Sequence, residues 1–344
     1  MQATYHKYTL QFKRPSGTSR GILTTKETWF IILTENGSTG IGECGLLRGL
    51  SYDDRDDYED RLQWVCDHID LGLEALLAQL DEFPSIQFGL EMAFRSLASK
   101  SQFELFPSAF TKFGDPITIN GLIWMGDKAF MQKQIQEKIE GGFHCIKLKI
   151  GAIDFETELD ILKHIRNEFS PDDIELRVDA NGAFHPDLAL EQLKRLSDYQ
   201  LHSIEQPIKP KQWEVMAKLC DSSPLDIALD EELIGVTSEE ERRQILEIIK
   251  PQYIILKPSL VGGFRGSHYW INHAEDLNVR WWITSALESN VGLNAIAQWT
   301  YTLKNPLPQG LGTGGLYTNN FDSPLIVKNG TLRYDLKENW NFNL

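Results

Sequence analysis

The amino-acid sequence predicts an α/β protein: a modified TIM barrel of the (β/α)₇β type, with an N-terminal α+β capping domain that the C-terminal tail completes. Three observations lead to this prediction. Short β-rich segments recur roughly every 25–30 residues, helical patterns separate most of them, and the chain before this series has a different pattern. A strand, a helix and two short loops need about 25–30 residues, so eight such units make a barrel of about 200–250 residues.

The capping domain comes first in the chain. Two strand-like segments, TLQFKR and ETWFIILTENGSTGIGE, are followed by helical patterns, and the second contains a hairpin signal at Asn36-Gly37. A further strand-like segment, TLRYD, lies near the C-terminus. We therefore predict a capping domain over residues 1–115, a barrel over 116–315, and a C-terminal segment over 316–344 that returns to the capping domain.

The barrel strands follow in regular order. They are predicted to begin at residues 117, 145, 174, 201, 226, 253, 280 and 310. Residues 155–169 have apolar positions at helical spacing, and another helix is predicted to open with a Thr237/Glu240 capping box. The segment after the last strand, GLYTNNFDSPLIV, is not helical, so the barrel is expected to lack its final helix.

Composition narrows the function classes. The chain has 344 residues, a net charge of −15 and 24% charged residues, and this charge argues against a nucleic-acid partner. It has no apolar run of about 20 residues and no signal-peptide pattern, so no membrane span is expected. Its four cysteines are scattered, as expected of reduced thiols in a cytoplasmic protein. Oligomeric partners are left open.

Two lysines stand out in the second barrel strand. Lys147 and Lys149 alternate with Ile146, Leu148 and Ile150, so both lysines share one face of the strand. A closed barrel has no edge strand, and burying an unpaired ammonium group in its interior is energetically unfavourable. Such a group is therefore expected to have a functional role. Surface lysine is the ordinary alternative, but it conflicts with this position inside a central strand.

Further charged residues occur at the same level of later strands. They are Asp179, Glu205, Asp230 and Lys257. Active sites of such barrels lie at the carboxyl ends of the strands. Three carboxylates without a nearby His or Cys suit Mg²⁺, and Asn181, on the face of Asp179, would hold a metal-bound water or the substrate. The alternative is that Asp179 and Asp230 only cap the helices that follow.

Lys149 and Lys257 come from strands four apart, on opposite sides of an eight-stranded ring. A substrate between them would have an ammonium group on each side. A lysine that accepts a proton near neutral pH needs neighbouring positive charge, which Lys147 and a divalent metal would supply to Lys149.

The segments KLK, DAN, EQP, DE and KPS together resemble the enolase superfamily, in its muconate-lactonizing branch. The resemblance covers nearly the whole chain. It implies that Asp179, Glu205 and Asp230 bind Mg²⁺, with Mn²⁺ as a substitute, and that the metal holds a substrate carboxylate. It further implies that Lys149 transfers the proton, that Lys257 lies across the site, and that Lys147 supports Lys149.

Within this branch the chain is most similar to the o-succinylbenzoate synthases. The similar segments are PSGTSRG (15–21), RVDANG, SALESNVGL and GLGTGGLYTNN. The similarity implies syn-dehydration of 2-succinyl-6-hydroxy-2,4-cyclohexadiene-1-carboxylate, a small-molecule carboxylate, to 2-succinylbenzoate through an enediolate, a step of menaquinone biosynthesis.

The same similarity suggests further contacts with the substrate. Ser285 and Gly312 would line the site, and Ser19 lies in the segment that resembles a mobile capping-domain loop. Arg177 would orient Lys149, or else be a salt-bridged barrel residue. Glu43, in the ECG segment, would add a capping-domain contact or be purely structural.

Two other functions remain open. An N-acylamino-acid racemase or dipeptide epimerase of the same superfamily would use both Lys149 and Lys257 as acid and base. Dipeptide epimerases usually carry an Asp-x-Asp pair after the eighth strand, where this chain reads GTGGLYTNN. A non-catalytic barrel that binds an acidic metabolite is the third alternative.

Overall fold

The structure is a computed structural model that describes residues 1–18 and 21–344. These residues form an N-terminal three-stranded antiparallel sheet, a seven-stranded parallel sheet, and a second three-stranded sheet that includes the C-terminal hairpin. The predicted fold class, a modified (β/α)₇β barrel with an α+β capping domain, is confirmed.

The N-terminal sheet and its helices form the capping domain. Its strands are β1 (Gln2–Thr18), β2 (Gly21–Glu35) and β3 (Ser38–Cys44). Its helices are α1 (Tyr58–Asp67), α2 (Leu73–Leu77), α3 (Pro84–Ala98) and α4 (Ala109–Phe113), with a 3₁₀ turn at Ile69–Leu71. The turn between β2 and β3 has positive φ at both Asn36 and Gly37, as a tight hairpin of this sequence requires.

The barrel is built from alternating strands and helices. After the short strand β4 (Ile117–Thr118), the strands are β5 (Gly121–Ile123), β6 (Cys145–Lys149), β7 (Glu175–Asp179), β8 (Ser203–Glu205), β9 (Ile227–Leu229), β10 (Tyr253–Leu256) and β11 (Arg280–Ile283). The helices are α5 (Lys128–Glu140), α6 (Phe155–Glu168), α7 (Pro186–Ser197), α8 (Trp213–Ser222), α9 (Glu239–Ile249), α10 (Pro258–Val261), α11 (Gly263–Asp276) and α12 (Asn290–Leu303), and a 3₁₀ turn spans Glu231–Leu233.

The ring closes through single bridges. Strands β5 to β11 pair in sequence order, Thr284 bridges Gly310, and Gln309 bridges Ile119, so residues 309–310 act as the eighth strand. No helix follows Leu303 in the described part of the chain. The expected loss of the last barrel helix is therefore seen.

The C-terminal segment forms a hairpin of β12 (Leu325–Lys328) and β13 (Thr331–Tyr334). Strand β13 pairs with β4, and the Phe342 ring lies 5.4 Å from the ring of Phe30 in the capping domain. The C-terminal segment therefore contacts both the start of the barrel and the capping domain, and the division at residues 115 and 315 stays a proposal.

The apolar core lies mainly between the barrel wall and its helices. Ile146, Leu148 and Ile150 point outwards into this core and are at most 1% exposed. The alternate positions point into the barrel, where Tyr253, Ile255 and Trp282 pack around Ala228. The two lysines of β6 therefore face the barrel interior, because the strand has only two faces.

One predicted helix boundary is wrong. Helix α9 begins after Ser238, whose hydroxyl accepts a hydrogen bond from the Glu241 amide at 3.1 Å. Thr237 precedes this cap. Both residues are capping types, and only the backbone geometry decides between neighbours.

The four cysteines are unpaired and buried. Across residues 1–18 and 21–344, none of the helices combines the length and the apolar character needed to cross a bilayer.

Asp53 gives the capping domain a pH dependence. Its buried carboxylate accepts hydrogen bonds from the Ser85 amide (2.9 Å) and hydroxyl (2.6 Å). Burial outweighs these bonds and raises the pKa of Asp53 from 3.8 to about 7. Between these pH values the folded state retains a proton that the unfolded state has lost, so stability falls as the pH rises.

We expect Asp53→Asn to reduce this loss, which for one such group is on the order of a few kcal/mol. The measurement is chemical denaturation at pH values from 4 to 8, with Asp172→Asn, at an exposed aspartate, as the control. Parallel stability curves for the wild type and Asp53→Asn would contradict the prediction.

Candidate active site

The charged residues predicted from the sequence meet at the carboxyl ends of the barrel strands. Lys149 pairs in register with Asp179, and Asp179 pairs with Glu205. Asp230 directly follows β9 and Lys257 directly follows β10. Side chains at paired positions of parallel strands point to the same face, so these groups converge inside the ring.

Each ammonium group lies against a carboxylate. Lys147 Nζ donates to Asp179 Oδ2 at 3.0 Å and to Glu205 Oε2 at 2.6 Å. Lys149 Nζ donates to Asp179 Oδ2 and to Asn181 Oδ1, both at 2.8 Å. Lys257 Nζ donates to Asp230 Oδ2.

Burial and charge act in opposite directions on these groups. Burial disfavours the charged form of Asp179, but the ammonium groups of Lys147 and Lys149 prevail and lower its pKa. Burial likewise opposes ionisation of Asp230, and Lys257 prevails and lowers its pKa. The pKa of Lys257 is raised, because Asp230 and Glu205 outweigh the effect of burial.

Glu205 is the exception among the three acids. Burial, followed by the negative charge of Asp179, raises its pKa well above the ordinary value in spite of Lys147. Its Oε1 atom is buried without a hydrogen-bond partner, and the ammonium group of Lys257 is 3.9 Å away from it. A buried carboxylate oxygen of this kind needs more positive charge than the lysines provide.

The three acids fit a hard divalent cation by their chemistry. They supply oxygen ligands, and Glu205 Oε1 has an unused acceptor position. Among residues 1–18 and 21–344, no group of three or more His, Cys, Asp or Glu side chains has converged into a ready metal cluster. In the described arrangement the lysines bond to Oδ2 of Asp179, Oε2 of Glu205 and Oδ2 of Asp230. A metal ion would be held through the other carboxylate oxygens or in place of some of these contacts.

A cavity of about 760 Å³ opens above these residues, which is a suitable size for a small-molecule ligand. Lys147, Lys149 and Lys257 line its base, and Leu47 and Leu50 of the capping domain line another side. The side chains of Lys149 and Lys257 are 11% and 12% exposed. Both are therefore largely shielded from water but still accessible to a ligand in the cavity.

Only some of the other residues predicted to bind the substrate line the cavity. Ser285 and Gly312 line the cavity. Asn181 lies beside Lys149 and donates from Nδ2 to Glu231 at 2.9 Å. Ser19 lies outside the described residues.

Arg177 lies one layer deeper in the barrel. Its Nε donates to Glu175 at 2.7 Å, its Nη1 donates to the Pro308 carbonyl at 3.0 Å, and its guanidinium lies 4.2 Å from the Trp282 ring centroid. These contacts favour the alternative of a salt-bridged barrel residue.

Two acidic residues were missed by reasoning from the sequence. Glu231 is buried next to Asp230 and contacts Asn181, and the DEE run could have drawn attention to it. Glu288 is fully buried and accepts a hydrogen bond from Ser285 at 2.6 Å. It lies within the segment SALESNVGL, but nothing in its spacing marks it as buried.

Comparisons with known proteins agree with this geometry. Residues 130–337 match the family model described as "Enolase C-terminal domain-like", and residues 1–97 match "MenC, N-terminal domain". An o-succinylbenzoate synthase from Desulfotalea psychrophila is 49% identical over 96% of this chain and 98% of its own length.

The chain belongs to the o-succinylbenzoate synthase family of the enolase superfamily. The crystal structure of MenC from Desulfotalea psychrophila LSv54 has a TM-score of 0.87 to it at 45% identity, covering 97% of this chain and 99% of that one. The two family models match residues 1–97, in the capping domain, and residues 130–337, which include most of the barrel.

A more distant relative has a different name. The L-Ala-D/L-Glu epimerase of Bacillus subtilis is 22% identical over 93% of this chain and 88% of its own length. A substrate-liganded structure of an L-Ala-D/L-Glu epimerase from Bacillus subtilis has a TM-score of 0.83 at 19% identity, with 97% of this chain and 96% of that chain covered. At that identity the likeness to this epimerase is one of fold.

Proposed function

We propose that this protein is a Mg²⁺-dependent carbon–oxygen lyase that converts 2-succinyl-6-hydroxy-2,4-cyclohexadiene-1-carboxylate to 2-succinylbenzoate by syn-dehydration. This reaction is the one expected of a member of the o-succinylbenzoate synthase family. The observation that carries the proposal is the placement of Lys149 and Lys257, from strands four apart, around three carboxylates at the base of one cavity.

We assign the metal site to Asp179, Glu205 and Asp230, with Mn²⁺ as an alternative to Mg²⁺. When bound, the ion supplies positive charge that stabilises the negative charge developing on the substrate carboxylate. The unpartnered Glu205 Oε1 supports this assignment. Asn181 Oδ1 remains a partner of Lys149 when Asp179 serves as a ligand, so the amine stays oriented.

Lys149 carries both proton transfers. Its neutral amine takes the proton from the carbon beside the carboxylate, and the electron pair of that C–H bond enters the conjugated system. The resulting ammonium then gives the proton to the hydroxyl group on the same face. The C–O bond breaks, its electron pair leaves with the oxygen as water, and the ring becomes aromatic.

Lys257 acts on the other face without transferring a proton. Its ammonium group, which donates to Asp230, would stabilise negative charge across the site and offer a cation–π contact to the substrate ring. Lys147 bridges Asp179 and Glu205, which fixes the acids beside Lys149. Asn181, Ser285 and Gly312 would contact the substrate, and Ser285 would do so by van der Waals contact because its hydroxyl group is fully hydrogen-bonded within the protein.

The second candidate is an N-acylamino-acid racemase or dipeptide epimerase. The same two lysines favour it, because racemisation needs an acid or base on each face of the substrate. The two reactions therefore make different demands on Lys257, as a fixed cation in the dehydration and as a proton carrier in the racemisation.

We expect Lys257→Arg to separate these functions. Guanidinium keeps its proton at any assay pH, so the variant retains a cation but loses a proton carrier. Dehydratase activity should fall by about tenfold through altered geometry, whereas any racemase activity should fall by at least about 10²-fold. The measurement compares aromatic product formation with α-proton exchange of N-succinyl amino acids in deuterated water.

Lys163→Arg, at an exposed helix position, is the control and should change neither activity. Equal and complete loss of dehydration in Lys257→Arg would mean that Lys257 transfers a proton in that reaction.

We also propose a cytoplasmic location and a small-molecule carboxylate as the main partner. The buried, unpaired cysteines support the first proposal, and the lysine-lined cavity supports the second. The net charge of −15 speaks against nucleic acid as a further partner.

A further inference from the structure

The loop of residues 285–289 forms one wall of the cavity in a strained conformation. Leu287 lines the cavity and has a φ of +65°, a left-handed conformation that is unfavourable for a non-glycine residue. Such a conformation persists only where neighbouring contacts fix it. Here the Leu287 amide donates to Ser285 Oγ at 3.1 Å, and the Tyr317 hydroxyl donates to the Leu287 carbonyl at 2.6 Å.

The Ser285 hydroxyl has no capacity left for a ligand. It donates its proton to Glu288 Oε2 at 2.6 Å and accepts from Leu287 and from Thr313 Oγ1, the latter at 2.9 Å. One donor and two acceptor positions are all that a hydroxyl group has. Ser285 therefore shapes the wall, and Glu288 fixes Ser285.

Glu288 is the end of this chain of hydrogen bonds. Its Oε1 accepts from the Ser259 hydroxyl at 2.5 Å, and the residue is 0% exposed. A carboxylate that accepts hydrogen bonds from two hydroxyl groups in a dry interior needs a nearby cation to remain charged. No lysine of the barrel site contacts it among the described hydrogen bonds and ion pairs.

Lys26 of the capping domain is the buried lysine whose charge acts on Glu288, although no hydrogen bond or ion pair joins the two side chains among the described contacts. It lies on β2, is 4% exposed, and its Nζ has no hydrogen-bond partner in the described structure. Burial lowers the pKa of Lys26, and the charges of Glu43 and Glu288 oppose this effect. Burial in turn raises the pKa of Glu288, and the strongest opposing influence is Lys26.

Glu43 fixes the other end of the loop. Its Oε1 accepts from the Ser289 amide at 2.9 Å, and its Oε2 accepts from the Ser289 hydroxyl at 2.5 Å and from the Gly292 amide at 2.8 Å. Ser289 caps helix α12, so a capping-domain carboxylate satisfies amides that the start of the helix leaves free. The loop is thus held at both ends by buried charges, some of them from the other domain.

We propose that Lys26 and Glu288 are positioning residues that, together with Glu43, hold the 285–289 loop in its strained conformation and so set the cavity wall that receives the non-reacting part of the substrate. The inference rests on the proposed function in its choice of substrate. It gives the capping domain a second role, because neither Glu43, which contacts the end of the loop, nor Lys26 lines the cavity itself.

The test compares Lys26→Met, Glu288→Gln and the double variant with the wild type. Each single change should raise KM for the dehydration substrate by at least about tenfold and change kcat by less than about threefold, because the wall binds groups that do not react. The double variant should lie closer to the wild type than either single variant, because it leaves no unmatched charge from this pair.

Glu91→Gln is the matched control. Glu91 is a buried capping-domain carboxylate that accepts hydrogen bonds from the Phe264 and Arg265 amides at 2.5 and 3.1 Å, at the start of a different barrel helix. It should alter thermal stability and leave KM unchanged. An equal KM increase in Glu91→Gln, or unchanged KM in both single variants, would overturn the inference.

Hydrogen exchange tests the loop without turnover. Amides 285–289 should exchange faster in Lys26→Met than in Glu91→Gln, and equal rates would overturn the inference. If Lys26→Met does not fold, Glu288→Gln decides, because it keeps the side-chain volume and can still accept hydrogen bonds. A wild type that does not dehydrate its substrate would refute the proposed function, and hydrogen exchange would still test the loop.

Discussion

Replacing Lys149 with alanine is expected to lower kcat for dehydration by at least about 10²–10⁴-fold, the usual contribution of a positioned acid or base. The proposed reaction runs both proton transfers through one amine. On the face of Lys149, the described structure offers Asp179 and Asn181 as neighbours. Asp179 is committed to the metal in our account, and an amide does not carry protons.

The variant should remain folded and bind metal. Removing the ammonium group eliminates a competitor for Asp179, so Mg²⁺ affinity should stay the same or increase. Kinetic measurement of product formation and calorimetric titration with Mg²⁺ check the two effects separately. Lys163→Ala, at an exposed position, is the control. A Lys149→Ala enzyme that retains more than about a tenth of wild-type kcat would show that another group moves the proton.

Chelation of the metal is expected to abolish turnover, and added Mg²⁺ or Mn²⁺ should restore it. Without the ion, the charge that develops on the substrate carboxylate is left to the lysines. These are already shared with Asp179, Glu205 and Asp230. We further expect Asp230→Asn to weaken Mg²⁺ binding by at least about 10–100-fold while the barrel stays folded.

Glu232→Gln is the matched control for the metal. Glu232 is buried two residues from Asp230. Its carboxylate accepts hydrogen bonds from the Lys211 backbone amide at 2.6 Å and from the Gln206 side chain at 3.2 Å, and not from the lysines of the active site. It should leave Mg²⁺ affinity unchanged in calorimetric titration. Full activity after exhaustive dialysis against EDTA would rule out the metal.

The fold could be predicted largely because the signals are local. Each barrel strand is a short apolar run, and the alternation in β6 correctly predicts that Lys147 and Lys149 face inwards while Ile146 and Leu148 face the helices. The charged residues occupy equivalent positions on successive strands. Because parallel strands pair in register, these positions lie side by side in the barrel.

The sequence does not predict how deep in the barrel a side chain lies or which distant segments contact each other. Arg177 shares the face of Asp179, but the rise of two residues, about 6.6 Å, moves its guanidinium to the layer of Trp282. The buried group of Lys26, Glu43 and Glu288 joins two domains across more than half of the chain. No periodicity or short motif predicts such a meeting.

The most direct test of the central claim is an assay of the purified wild type with Mg²⁺ on both substrate classes in deuterated water. One sample contains 2-succinyl-6-hydroxy-2,4-cyclohexadiene-1-carboxylate, and others contain N-succinyl amino acids or Ala-Glu. We predict rapid formation of the aromatic product, with a kcat/KM that exceeds that of any α-proton exchange. An untouched dehydration substrate, together with rapid α-deuterium incorporation into a dipeptide, would contradict our account and establish the epimerase in its place.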